Sequence, residues 1–222
     1  MTEKTVREPA PEKTIFTTAL TYLNWRGQWQ DLPSAQRNAM ENGLENVRKF
    51  ADFRVKTARY TLKNQTLEEL SLFLPGEDLR HYLDGCEQVL LIASTLGLRL
   101  EQHLRRLHYL DMGTAVLEDA LASAFLEFQT DDYQQRLHLG PHTARLAPGY
   151  GDIPLALNRP FSQALAIESI GMSLSGNYLF IPQKSMLGLI GIGQELQKKS
   201  CGHCIRKTEC SLRRSGLRCY QP

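Results

Sequence analysis

The segment EQVLLIASTLG, residues 87–97, constrains the fold most strongly because apolar residues follow one another through its middle. An amphipathic helix spaces apolar residues three or four apart, and a half-buried strand alternates them with polar ones. This segment does neither, and its length is typical of a strand. We therefore predict a buried strand at residues 87–97.

Helical patterns occur on both sides of this strand. Ser34 is predicted to cap a helix after Pro33. Two further helices are predicted, one over about 98–110 and one from Asp111, whose carboxylate can cap it. The apolar stripe of the helix after Ser34 consists of Ala39, Met40, Leu44, Val47 and Phe50. The stripe of the helix after Asp111, which we assign to core packing, consists of Leu117, Leu121, Ala124, Phe125 and Phe128.

The remaining patterns are shorter. FRVKTARYTL (53–62) is typical of an edge-like strand, and PGEDLRHYLDG (75–85) of a turn and a short helix that ends at Gly85. Residues 173–193, SLSGNYLFIPQKSMLGLIGIG, are interpreted as paired strands joined by PQKS. The predicted class is α+β, with the helices in the first two-thirds of the chain and most turns late.

Composition and charge exclude several classes of protein. The chain has 222 residues, 42% hydrophobic and 23% charged, as is typical of a globular protein. The net charge of +2 indicates neither a nucleic-acid nor a membrane partner. No apolar stretch approaches the roughly 20 residues that cross a bilayer. The start, MTEKTVREPAPEKT, lacks the apolar region of a signal peptide, so we expect a cytoplasmic protein. We divide the chain into a loose leader (1–13), a main domain (14–196) and a tail (197–222).

The segment TARLAPGYGDIPL, residues 143–155, is predicted to bind a ligand. The Arg145 guanidinium offers a planar fork of donors that suits a carboxylate. A proline and Gly149 make a stiff turn that a ligand can approach closely, and the Tyr150 ring can attract a cation such as a sulfonium. A ligand with a carboxylate and a nearby positive centre would fit. The alternative is a surface turn in which Arg145 pairs with Asp152.

The tail is rich in cysteine. Four of the five cysteines lie there: Cys201, Cys204, Cys210 and Cys219. In a reducing compartment this clustering favours metal binding over disulfides. The four thiolates could hold zinc or an iron–sulfur cluster, and His203 could replace one of them. The alternative is a tail of free thiols. Cys86 is interpreted as a small core residue.

The tail is also basic. Its cationic residues are Lys198, Lys199, Arg206, Lys207, Arg213, Arg214 and Arg218, against the single acid Glu209. Such a patch could dock on an acidic partner such as a flavodoxin, a ferredoxin or a corrinoid protein. It could equally balance the charge of a thiolate cluster. Nothing else in the chain supports a nucleic-acid role.

The order of the motifs resembles the activation domain of cobalamin-dependent methionine synthase. The loop has the R-x-x-x-G-Y pattern of that family's S-adenosylmethionine-binding motif, and other segments follow the family's order. These segments are YLNWRGQ (22–28), ASTLG (93–97), DMGTAVLEDALASAF (111–125) and PQKSMLGLIG (182–191). The resemblance covers about residues 15–195 and is closest to short, free-standing relatives. It implies a twisted antiparallel sheet with flanking helices.

The resemblance also implies a function. In the family, the domain binds S-adenosylmethionine and lies over the corrin, where one electron and the ligand's methyl group convert cob(II)alamin to methylcobalamin. The residues carried over are Arg145 for the carboxylate, Gly149 and Tyr150 for the pocket, and the backbone of Leu146 and Ala147 beside the adenosine. The partner implied is a separate corrinoid protein or a methionine synthase lacking this domain.

One position departs from the family pattern. The synthases have an aspartate in an early Tyr-x-Asp-Trp stretch, where it meets the ligand's amino group. This chain has Asn24 between Tyr22 and Trp25. Asparagine can accept a hydrogen bond but brings no charge, so it would bind an ammonium more weakly. Asn24 is a candidate binding residue or, alternatively, a turn residue.

No catalytic side chain is predicted. The sulfonium already activates the methyl group and cob(I)alamin is a strong nucleophile, so the protein contributes position and exclusion of water. The histidines interpreted as surface or core residues rather than cobalt ligands are His103, His108, His138 and His142. Two alternatives stay open: a docking module that does not use S-adenosylmethionine, and an electron-transfer protein with an iron–sulfur tail.

Overall fold

A computed structural model describes residues 11–193, 209–214 and 216. Its helices are α1 (Pro11–Tyr22), α2 (Ser34–Phe50), α3 (Glu77–Tyr82), α4 (Leu98–Leu110), α5 (Met112–Arg136), α6 (Asn158–Leu165) and α7 (Ser211–Arg214). Its strands are β1 (Arg54–Lys63), β2 (Thr66–Leu67), β3 (Leu72–Phe73), β4 (Gln88–Thr95), β5 (Ser173–Leu174), β6 (Phe180–Ile181) and β7 (Ser185–Ile192). No helix of these described residues is long and apolar enough to cross a membrane.

The main sheet is antiparallel, with the strand order β3-β2-β1-β4-β7. Every residue of β4 pairs with a residue of β1 on one side and with a residue of β7 on the other. β5 and β6 pair with each other in a second, two-stranded sheet. The two strands that flank PQKS are therefore in different sheets, and the predicted pairing across PQKS is wrong. β1, predicted as edge-like, lies inside the order, between β4 and β2, although it pairs with β2 only through Leu62 and Lys63.

The buried strand predicted at 87–97 is confirmed as β4. Successive side chains of a strand point to opposite faces of its sheet, so β4 must be covered on both. Val89 and Leu91 pack into a core shared with α3 and α6, whereas Leu90 and Ile92 pack against Leu139 on the opposite face. The unbroken apolar run therefore reflects a sheet with helices on both faces.

A helical layer covers one side of the sheet. α1, α2, α4 and α5 share one core, in which Ile15, Leu44, Leu100 and Leu121 are each at most 1% exposed. Burying a side chain of this size contributes about 1.5–3 kcal/mol. The stripes predicted for α2 and α5 lie in this core or against it, except that Ala39 is exposed.

Two helix starts differ from the predictions. α2 begins at Ser34 itself, Pro33 holds the cap position, and no side chain caps the helix. α1 begins at Pro11, so the last residues assigned to the leader are helical. The start predicted at Asp111 is confirmed, because its carboxylate accepts a hydrogen bond from the Thr114 N–H at 3.1 Å. Hydrogen bonds from Thr114 lower the pKa of Asp111.

Candidate functional site

The predicted binding loop lies along the free edge of β7. The Thr143 N–H donates to the Gly191 carbonyl at 2.9 Å. The Leu146 N–H donates to the Leu189 carbonyl at 2.9 Å, and the Leu189 N–H donates back to the Leu146 carbonyl at 2.7 Å. These bonds make residues 142–146 a partial extra strand of the sheet. The loop is therefore held by the scaffold before any ligand arrives.

The turn that follows is closed and stiff. The Tyr150 N–H donates to the Ala147 carbonyl at 3.0 Å, and the Gly149 N–H donates to the Ile153 carbonyl at 2.8 Å. Gly149 has φ of +90°, which is the left-handed value that a type II turn needs after its proline. Pro148, in that preceding position, is buried. Any residue other than glycine at position 149 would therefore strain the turn.

The Arg145 guanidinium is oriented by α5. Its Nη2 lies 2.8 Å from Asp131 Oδ1, and its Nη1 donates to Gln134 Oε1 at 3.0 Å. The side chain is 10% exposed, whereas that of Asp131 is 56% exposed. The alternative pairing with Asp152 is wrong. Asp152 instead accepts hydrogen bonds from the first N–H groups of α3, including that of Glu77 at 2.5 Å.

The other loop residues divide into core and surface. Leu146 is 2% exposed and Tyr150 packs against the same core cluster, while Ala147 is exposed. Both backbone groups of Leu146 bind β7, so its N–H cannot also donate to a ligand. Of the two backbone positions predicted to lie beside an adenosine, Ala147 is the exposed one.

A second cation, Lys184, also pairs with residues of α5. Lys184 Nζ is 2.9 Å from Asp119 Oδ1 and donates to Ser123 Oγ at 2.8 Å, and its side chain is 13% exposed. Glu101 fixes the preceding residue, because its Oε2 accepts the Gln183 N–H at 2.9 Å. Neither Lys184 nor Glu101 was predicted to have a role. Lys184 lies in the PQKS segment of the resemblance, which was the available signal for it, whereas Glu101 lies in α4, outside every segment of the resemblance.

Asn24 ends α1. It is exposed and has φ of +57°, and the next residue, Trp25, donates its N–H to the Leu20 carbonyl at 2.9 Å. This is the left-handed residue and long-range bond of a helix C-terminus, a role in which asparagine is common. The conformation accounts for asparagine here without a ligand, and a binding role for Asn24 stays a prediction.

The histidines predicted not to be cobalt ligands lie in different places. His103 Nε2 donates to Glu118 Oε2 at 2.7 Å, and its ring stacks on Phe50. The His142 ring lies on the loop edge, 2.7 Å from the Gly140 carbonyl. His108 and His138 are exposed.

The predicted metal ligands fall mostly outside the described residues. Cys201, Cys204 and Cys219 lie there, and the described Cys210 is a partly buried free thiol. Within the part of the chain that the structure describes, no group of three or more potential ligands could hold a metal. Iron–sulfur or zinc binding by the tail therefore stays a prediction. Cys86 is buried beside Gly191, as expected of a core residue.

No family model matches the sequence, and no curated protein matches it. Among solved structures, the fold matches the MetH reactivation domain bound to AdoHcy, with a TM-score of 0.62 and 13% sequence identity. The match covers 95% of this chain and 85% of that one. The α+β fold that the motif order implied is confirmed: this chain has the fold of the MetH reactivation domain.

Proposed function

We propose that this protein binds S-adenosylmethionine in the loop along β7 and supplies its methyl group to cob(II)alamin held by a separate partner. The observation that carries the proposal is the Arg145 guanidinium, held at 10% exposure by Asp131 and by Gln134. The proposal is supported by the fold, which matches that of the MetH reactivation domain, whose solved structure has AdoHcy bound. A carboxylate-binding arginine that is already oriented loses little entropy when the ligand arrives.

Arg145 keeps enough donors for a ligand. A guanidinium has five N–H donors in one plane. The contacts with Asp131 and Gln134 involve one N–H of Nη2 and one of Nη1, which leaves other donors of the guanidinium for a carboxylate. Tyr150 and the Gly149 turn would then border the sulfonium, with the ring face toward the positive centre. The exposed Ala147 backbone would lie beside the adenosine.

The chemistry needs position rather than an acid or a base. One electron reduces cob(II)alamin to cob(I)alamin, whose cobalt attacks the methyl carbon of the sulfonium. The carbon–sulfur bond breaks, and its electron pair stays on sulfur in S-adenosylhomocysteine. No proton moves, so the protein's tasks are to align the methyl group with the cobalt and to exclude water. The partner is a corrinoid protein or a methionine synthase lacking this domain, with flavodoxin or ferredoxin as electron donor.

Calorimetric titration of S-adenosylmethionine tests the binding half of the proposal. A hydrogen bond to a charged group contributes roughly 1.5–3 kcal/mol, so Arg145→Ala should bind about ten- to a hundredfold more weakly. Arg136→Ala is the matched control, since Arg136 forms an exposed ion pair with Asp132, and both residues lie on α5. Equal affinities for the wild type and Arg145→Ala would refute the assigned site.

The catalytic half has its own test. A corrinoid partner in the cob(II)alamin state, mixed with this protein, S-adenosylmethionine and a low-potential reductant, should acquire the absorption spectrum of methylcobalamin. Omission of this protein should leave the spectrum unchanged. Binding without methylation would refute the catalytic half, and absence of both binding and methylation would favour the alternative function, a docking or electron-transfer protein that does not use S-adenosylmethionine.

A further inference from the structure

A row of hydrogen bonds connects the Arg145 guanidinium to the ring of His142. Arg145 Nη1 donates to Gln134 Oε1 at 3.0 Å. Gln134 Nε2 lies 3.3 Å from His142 Nε2, and His142 Nδ1 lies 2.7 Å from the Gly140 carbonyl oxygen. The row therefore runs from the group proposed to bind the ligand's carboxylate to a histidine, the residue type whose charge ordinarily changes between about pH 5 and pH 8.

The donors and acceptors in this row have one consistent arrangement. A guanidinium donates and never accepts, so the Gln134 atom that faces Arg145 must be the amide oxygen. The amide nitrogen, which only donates, then faces the ring, so His142 Nε2 must accept. On the other side of the ring the Gly140 carbonyl only accepts, so Nδ1 must carry a proton. The contacts thus require a neutral His142 ring with its proton on Nδ1.

We infer that His142 is a positioning residue that holds Arg145 in place through Gln134 only while its ring is neutral, an inference that rests on the function proposed above. Protonation of the ring adds an N–H at Nε2, which then faces the donor nitrogen of the Gln134 amide. If the amide turned over, its oxygen could accept from His142, but its nitrogen would face the donor Nη1 of Arg145. In either arrangement one hydrogen bond of the row is lost.

This exclusion fixes the sign of the pH dependence. The ordered guanidinium requires the neutral ring, so a ligand that binds the ordered guanidinium binds more tightly when the ring is neutral. By linkage, the affinity is highest above the pH range in which a histidine titrates and falls as the pH drops through that range.

The charges around His142 do not reverse this sign. β7, which lies opposite His142 at Ile192, has no titratable residue. Asp131 is the acid that contacts Arg145, and if it turned toward a protonated ring it would leave the guanidinium, which would also weaken the site. Glu87 beside the end of β7 is exposed, so solvent and salt screen its attraction for the ring. The other titratable groups on the segments around the ring are His138, Asp132, Tyr133, Arg136 and the buried Cys86.

Nitrogen-15 NMR of the histidine rings tests the hydrogen-bond arrangement without a ligand. The ring signals that disappear in His142→Gln belong to His142. At about pH 8, where histidines are ordinarily neutral, these signals should show the proton on Nδ1. A proton on Nε2 would overturn the inference, because that nitrogen could not then accept from Gln134.

The pH dependence of binding tests the consequence for the site, with S-adenosylhomocysteine as the probe in calorimetric titration. The wild type should bind about three- to tenfold more weakly at pH 5.5 than at pH 8, as linkage to one histidine proton allows. His142→Gln has a side-chain oxygen that can accept from Gln134 and does not titrate, so its affinity should change less than about twofold. His138→Asn is the matched control, because His138 is exposed and has φ of +46°, which asparagine tolerates. It should keep the pH dependence of the wild type.

Gln134→Glu provides a second test that does not alter His142. A carboxylate can accept from Arg145 and from a protonated ring at the same time, so the loss of affinity in acid should disappear or reverse. If Gln134→Glu kept the full loss, the inference would be wrong even where His142→Gln could not be purified.

The outcomes distinguish this inference from the function beneath it. Equal pH dependence in the wild type and His142→Gln, or tighter binding by the wild type in acid, would overturn the inference and leave the proposed function standing. Failure of the wild type to bind the probe at either pH would overturn the proposed function. In that case the NMR spectrum still decides whether the ring of His142 accepts from Gln134.

Discussion

Gly188 in β7 lies directly beneath the binding loop. A Cβ added there would be 2.8 Å from Arg145 Cγ and 2.8 Å from the Leu146 carbonyl oxygen. The arginine stem could move, but the carbonyl is fixed by the 2.7 Å hydrogen bond from the Leu189 N–H. Gly188→Ala must therefore push the loop away from β7. The substitution disturbs the site without removing any group that would contact a ligand.

The loss of stability caused by Gly188→Ala can be estimated from this overlap. Overpacking a well-filled interior costs about 1–3 kcal/mol. For a chain of this size, each kcal/mol lowers the melting temperature by about 2–4 °C, so we expect a decrease of about 2–12 °C. Gly176→Ala is the matched control, because a Cβ there meets no atom within 4 Å. Its melting temperature should stay within about 2 °C of the wild type.

Thermal unfolding followed by calorimetric titration forms the assay. Below its melting temperature, Gly188→Ala should bind S-adenosylmethionine about tenfold more weakly, because a displaced Arg145 loses one charged hydrogen bond. A variant as stable as the wild type and with unchanged affinity would refute the reasoning. It would mean that the loop can leave β7 at no cost.

Three further predictions concern the scaffold around the site. Asn46→Ala should lower the free energy of unfolding in urea by about 1–3 kcal/mol, because Asn46 Nδ2 donates at 2.8 Å to the fully buried Glu118 carboxylate; an unchanged midpoint would contradict this. Asp152→Ala should destabilise by about 0.5–2 kcal/mol, as expected for loss of a helix cap, with Asp152→Asn as the milder control. Hydrogen bonds from Thr61 hold the pKa of Glu69 below its usual value. The stability that these hydrogen bonds contribute is present above the pKa of Glu69 in the unfolded chain and is lost as the pH falls through its pKa in the folded protein. The free energy of unfolding of the wild type should therefore exceed that of Glu69→Gln by less in acid than at neutral pH. A difference that does not change with pH would show that the bonds are not linked to ionisation.

The elements that the sequence predicted well are those whose signals are local. β4 was recognisable from its unbroken apolar run, and α5 from a capping Asp111 followed by a regular stripe. α1 was missed because its apolar residues, Ile15, Phe16, Ala19 and Leu20, are mixed with threonines that are weak helix formers. Tertiary packing on α5 decides its conformation.

Local sequence patterns could not predict which distant segments pair with each other. β7 was expected beside β6, its neighbour in sequence, because consecutive strands usually pair. It pairs with β4 instead. In the same way, the alternative partner that the sequence suggested for Arg145 was the nearby Asp152, yet its partner Asp131 lies on the preceding helix. The motif located the loop, but only the fold shows which side chains orient it.

The attachment of residues 142–146 to β7 has a consequence for solubility. An exposed strand edge is a template for pairing with another copy of the chain. β1, which pairs with β4 over Arg54–Thr61, carries Arg54, Lys56 and Arg59, and such charges discourage edge pairing. β7 ends in the apolar sequence MLGLIGI and has no such charges, so the binding loop itself shields that edge. Substitutions that detach the loop should therefore promote aggregation as well as weaken binding, which couples the function of the site to the solubility of the protein.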